Sequence, residues 1–314
     1  DLSSNINFLR PKIKINFNKL DISSYPNYEN LYKIIADNYS VKASEIELFN
    51  GGSNAIFTLF RFFGLKECVI YSPAYLEYKK ASQIFKYNTT LINRFENISS
   101  EIKKDSLVIF VNPSTPDGNY YKLDTLMKEW IKKDATILID ESFLDFTNKA
   151  SAIKYLKSYD KLYILKSMTK FYSSAGIRVG TIVSSKKNIK ALKKEEPNWK
   201  LSQFDSNYLQ EALKDKEFEA KSVKKNIENR KILKRVLQRY GFVKKIYKSY
   251  GNYLLIELKS ITANRLQKEL EKDKIMIRDC SNFDYLNKYH VRIAVKSKKS
   301  IKLLNSALEK VRVN

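Results

Sequence analysis

The chain has 314 residues, 43% of them apolar, with 21 tyrosines and 17 phenylalanines. That is enough to bury a large core and excludes a disordered chain, while two cysteines and one histidine exclude a disulfide framework or a metal cluster. The formal charge of +24 would suit a nucleic-acid binder, but the lysines are spread in short runs broken by acids, as in Lys193-Lys194-Glu195-Glu196, and read as a solvated surface.

The opening DLSSNINFLRP is polar and carries no secretory pattern, and no apolar stretch reaches the roughly 18 to 20 residues that span a bilayer. A reducing cytoplasm is therefore the expected compartment, with neither membrane nor nucleic acid as a partner. Tyr25 follows in SYPNY, a turn before a helix. The segment NGGSNAIFTLF comes next, where Gly51, Gly52 and Ser53 form a turn ahead of an apolar helix near Asn54. Backbone N–H groups at such a helix start can hold a phosphate, although a Gly pair is also an ordinary turn.

Five continuous apolar runs then set the architecture: Cys68–Tyr71, Leu107–Val111, Thr136–Ile139, Leu162–Leu165 and Thr181–Val183. Their unbroken β-branched and aromatic character predicts strands buried on both faces, as in a mostly parallel sheet. Helical stretches at Tyr75–Phe85 and Leu123–Lys133 separate some of them, giving an α/β order. The strand ends are polar: NPSTPDG follows Val111, DESF follows Ile139 and KSMTK follows Leu165. Open α/β sheets bind ligands beyond the carboxyl ends of their strands, so Thr115, Asp140 and Lys170 are expected at one edge. Asp140 also has a structural reading, as a helix N-cap.

From about Pro197 the texture changes. A charged helical region, roughly Asp205–Tyr240, leads to a strand-like Tyr250–Leu258, a helix near Ala263–Lys272, the segment IMIRDCSNF, the strand HVRIAV and a last helix from Lys299. This predicts a smaller α+β domain of residues 1–30 and 205–314, including an N-terminal arm, beside a large domain of residues 31–204.

The pattern S-x-[ST]-K-x(5)-G-[ILM]-R-x-G over Ser167–Gly180 resembles the lysine motif of the class I/II aminotransferases, which bind pyridoxal 5'-phosphate (PLP) in the aspartate-aminotransferase-like fold type I. The resemblance covers essentially the whole chain. It implies that Lys170 bonds to the cofactor aldehyde and that Asp140 pairs with the pyridine N–H. Gly52, Ser53, Ser167, Thr169 and Arg178 would hold the phosphate, Arg through its planar fork. Tyr75 would stack on the ring. Tyr25 would reach the phosphate of a neighbouring subunit in a homodimer with shared sites, unless it is a plain turn residue.

Within the family, two branches compete: L-threonine-O-3-phosphate decarboxylase and histidinol-phosphate aminotransferase. LSSNIN with Asn5, DESFLDF with Phe143, and the arginines Arg278 and Arg292 of IMIRDCSNF and HVRIAV resemble the decarboxylase. Two arginines suit a substrate carrying both a carboxylate and a phosphate. The resemblance thus implies decarboxylation of O-phospho-L-threonine or O-phospho-L-serine, with transamination of a phosphorylated substrate such as histidinol phosphate as the alternative. Two departures stand out. Thr115 replaces the Asn that donates to the cofactor's ring oxygen, and NINFLR replaces NINPLG, which is expected to put Arg10 near the substrate entrance.

Overall fold

A computed structural model describes residues 1–312. Its larger sheet has seven strands: β1 Ile46–Asn50, β2 Glu67–Ser72, β3 Asn88–Asn93, β4 Leu107–Val111, β5 Thr136–Asp140, β6 Leu162–Ser167 and β7 Val179–Ser184. Their spatial order is β1-β7-β6-β5-β4-β2-β3. The five apolar runs are all strands here, and their side chains divide between apolar layers on opposite faces. Leu138 and Leu165 pack on one face, while Ile139 and Ile164 pack on the other. Strands β3, β2, β4, β5 and β6 are mutually parallel.

The fifth run departs from that pattern: β7 lies antiparallel to both β6 and β1. Only residues 168–178 separate β6 from β7, which is short for the crossover a parallel pair requires. The tight return keeps the Lys170 segment at the sheet edge. Strands β1 and β3 escaped the sequence reading because each carries polar residues. The edge strand β3 alternates between exposed and more buried positions, as a half-solvated strand does.

The smaller sheet, ordered β10-β11-β9-β8, comprises β8 Val243–Ile246, β9 Tyr253–Leu258, β10 Arg278–Asp279 and β11 His290–Ala294. It packs its own core against helices, with Leu233, Leu266 and Leu304 at the centre. The charged region read as one helix is two: α7 Gln203–Lys214 and α8 Lys216–Leu237. Asp215 separates them, since its carboxylate accepts the N–H of Phe218 and of Lys12 and so caps a new helix. The first residues of the chain join the smaller sheet, with Leu2 bonded through its backbone to Met276 and Ala294. Among the described residues, no helix is long and apolar enough to cross a membrane.

Candidate active site

The parallel register β4-β5-β6 brings three strand tips side by side, with Val111 opposite Asp140 and Asp140 opposite Leu165. Beyond them lies a cleft of about 380 Å³. Gly52, Ser53, Tyr75, Thr115, Asp140, Ser167, Thr169, Lys170 and Arg178 reach it from the larger sheet. Asn5, Arg278 and Arg292 reach it from the other side. Twelve positions scattered over nearly the whole sequence therefore share one space.

Asp140 is buried, with both oxygens engaged and acceptor capacity left on one of them. One carboxylate oxygen accepts the Tyr78 hydroxyl at 2.8 Å, while the other accepts both the N–H (2.8 Å) and the hydroxyl of Ser142. The N-cap reading does not hold, for no α-helix begins there. Tyr78 was not foreseen, though it sits three residues after Tyr75 and so falls on the same side of helix α3 (Leu76–Ile84). Ser142 could have been found as the partner of an Asx turn.

Lys170 stands in a one-turn helix after β6. Its amine donates to Ser167 Oγ at 3.3 Å and lies 5.3 Å from the centre of the Phe143 ring. Burial pushes its pKa below the ordinary lysine value; Asp140 pulls upward, and Arg178 and Arg292 add to the depression. Its backbone carbonyl accepts the N–H of Asn7 at 2.9 Å, which ties the N-terminal segment to this helix.

The start of helix α2 (Gly51–Phe63) forms a second wall. Gly51 has φ of +81°, and a Cβ there would lie 2.6 Å from a terminal nitrogen of Arg178, so the bare backbone lets the guanidinium close in. Gly180 is equally constrained, since a Cβ on it would meet the Gly51 carbonyl carbon at 2.7 Å. Ser167 and Thr169 share a hydrogen bond of 3.0 Å nearby, and the Ser53 and Tyr75 hydroxyls lie 3.3 Å apart.

Across the cleft, Arg278 and Arg292 are direct neighbours in the β10–β11 pair. Arg292 donates to Thr115 Oγ1 at 3.3 Å and to the Ser3 carbonyl at 3.1 Å, yet its buried Nε has no acceptor. Arg278 donates to Asn282 and covers the Phe283 ring. Glu77, Ile56 and Phe283 also line the cleft and were not foreseen.

Two residues singled out from the sequence lie outside this cleft, Arg10 against expectation and Tyr25 in keeping with a role toward a second subunit. Arg10 is exposed and does not line the cleft. Asn7 is held by Phe171 O and Ser222, after which the chain runs along the α7–α8 junction, where Lys12 meets Asp215. Arg10 is thus carried to the neighbourhood of Tyr208. Tyr25 is 73% exposed and stacks on Trp199 at 4.1 Å, outside the cleft of its own chain.

The sequence pattern of the family described as aminotransferase class I and II matches residues 18–311. The chain belongs to this family. A protein provisionally named threonine-phosphate decarboxylase, from Caldanaerobacter subterraneus subsp. tengcongensis, is 30% identical over 97% of this chain and 88% of its own. Histidinol-phosphate aminotransferase of Methanocaldococcus jannaschii is 28% identical over 99% of this chain and 88% of its own. The crystal structure of histidinol-phosphate aminotransferase from Clostridium acetobutylicum superposes with a TM-score of 0.86, at 28% identity, covering 98% of this chain and 97% of that one.

Class I and II aminotransferases are PLP-dependent, and the residues of this cleft fit that cofactor. A half-buried amine without a carboxylate on it, a buried carboxylate, and a Gly-rich helix start beside an arginine free of acids match an aldehyde, a pyridine nitrogen and a phosphate in turn. Among the described residues, neither Lys170 nor Arg178 has an acid within 4 Å.

Proposed function

We propose that the chain is a PLP-dependent decarboxylase of a phosphorylated hydroxy-amino acid, O-phospho-L-threonine or O-phospho-L-serine, releasing CO2 and an amine phosphate. Arg278 and Arg292 carry this reading: two guanidiniums, adjacent in one strand pair, face the Lys170 cleft with donor capacity to spare. A substrate with a carboxylate and a phosphate can satisfy both.

Bound PLP supplies a protonated pyridine ring that accepts the electrons of a breaking bond at Cα. In our reading Asp140 keeps that ring nitrogen protonated, and Tyr78 and Ser142 keep Asp140 in place. Gly52, Ser53, Ser167, Thr169 and Arg178 hold the cofactor phosphate, while Tyr75 covers the ring. Arg278, Arg292 and Asn5 fix the substrate so that its Cα–carboxylate bond is the one aligned to break. Lys170, the amine of the cleft, would hold the cofactor aldehyde until the substrate amine takes its place, and the freed amine, once protonated, would return a proton to Cα after CO2 has left.

Each site is completed, in this proposal, by Tyr25 of a second copy, and the exposed, mutually stacked rings of Tyr25 and Trp199 supply an apolar patch for that contact. Transamination of histidinol phosphate is the second reading, favoured by relatives of that name at similar identity. The deciding assay incubates PLP-loaded protein with phosphothreonine, phosphoserine or histidinol phosphate. CO2 release without a keto acid supports decarboxylation. Turnover only in the presence of 2-oxoglutarate overturns it.

A further inference from the structure

Behind the cleft lies a charged pair that the chemistry above does not use. Along β6, Leu165 and Ser167 face the cleft, so Lys166 points to the opposite face of the sheet. Glu141 follows Asp140 directly. Lys166 Nζ and the Glu141 carboxylate meet there at 2.5 Å, with side chains 2% and 1% exposed. Glu141 also accepts the Ser151 hydroxyl and the Ala152 N–H, both at 2.6 Å, and its own N–H donates to Leu165 O at 2.9 Å. Lys166 covers the Tyr39 ring at 4.5 Å.

We infer that Lys166 and Glu141 form a positioning pair, which locks the tips of β5 and β6 together so that Asp140, Ser167 and Lys170 keep their spacing around PLP. Three segments converge on the pair: the residue after the ring-binding carboxylate, the residue before the phosphate-binding serine, and the connection between the two strands. Stability alone is a poor account of it, because an apolar pair of similar volume usually serves a fold as well as a buried ion pair does. Charge balance adds a second reason: Asp145, which accepts the Tyr39 hydroxyl at 3.1 Å, lies close enough to feel both members of the pair, and Lys166 offsets the charge of the two acids together.

The inference rests on the proposed cofactor roles of Asp140 and Ser167, and its test separates the two. Cofactor-free wild type, Lys166→Arg, Glu141→Gln and the double variant Lys166→Met/Glu141→Gln are titrated with PLP. Affinity, the pH midpoint of the bound cofactor's visible absorbance, and thermal melting are measured. The double variant should melt close to wild type yet bind PLP about 10-fold or more weakly, the usual scale for losing an outer partner of a binding group, with a displaced pH midpoint. Lys166→Arg, which keeps the charge, should restore both. If that double variant does not fold, Lys166→Gln/Glu141→Gln, which leaves neither position charged and keeps an acceptor for Ser151 and Ala152, is expected to show the same weakening.

Wild-type affinity and midpoint in the folded variants would make the pair merely structural, as would a Lys166→Arg protein as weak as the double variant. A wild type that takes up no PLP would instead sink the underlying site reading.

Discussion

The two walls of the cleft are built on different plans. On the larger-sheet side each group is engaged before any ligand arrives: Asp140 by Tyr78 and Ser142, Lys170 by Ser167, Thr169 by Ser167. On the smaller-sheet side Arg292 keeps a buried Nε with no acceptor, and Arg278 has one side-chain partner on an exposed loop. In the proposed function the first wall is prepared for a resident cofactor, and the second keeps donors in reserve for a substrate that comes and goes.

Replacing Lys170 attacks the first wall most directly. Lys170→Ala should lower turnover by more than about 10^4-fold, beyond what loss of an acid–base group alone costs, and should abolish the visible absorbance of bound PLP. Asp140→Asn should be next, reducing turnover about 10^2 to 10^3-fold as an electrostatic contact to the reacting system is lost, measured in steady-state kinetics. Arg292→Ala tests the second wall. Substrate affinity should fall by about 30-fold or more, the effect of removing one partner from a buried charge pair, while PLP affinity measured by titration stays put. Equal loss of both would erase the contrast between the walls.

The smallest effect concerns stability. Burial holds the Lys170 pKa below its ordinary value in the cofactor-free protein, so the unfolded chain binds that proton more tightly. Stability therefore rises with pH as the window between the depressed pKa and the ordinary lysine value is crossed. Lys170→Met removes this term. The cofactor-free variant should melt higher than wild type near neutral pH, with the gap closing toward pH 10, as followed by thermal melts.

Much of the larger sheet was legible because its central strands are buried on both faces, and unbroken runs such as LVIFV and TILI leave little choice. Strand β3 was not, since a half-exposed NTTLIN reads like a loop. The cleft was readable where a residue follows a strand, as Asp140 and Lys170 do. It was opaque where contact depends on folding over a distance. Nothing near Arg10 in the sequence shows that Asn7, bonded to Phe171 and Ser222, turns the chain away. Glu141 and Lys166 were invisible for a related reason: their pairing exists only once β5 and β6 lie side by side.

The Lys170 amine, which the strand tips surround, is the group on which the proposed chemistry turns. Loading the protein with PLP, reducing it with borohydride, digesting it and mapping the pyridoxyl mass by tandem mass spectrometry tests this directly. The label should fall on the peptide containing Lys170 and on no other lysine in stoichiometric amount. A stoichiometric label elsewhere, or none at all, would contradict it.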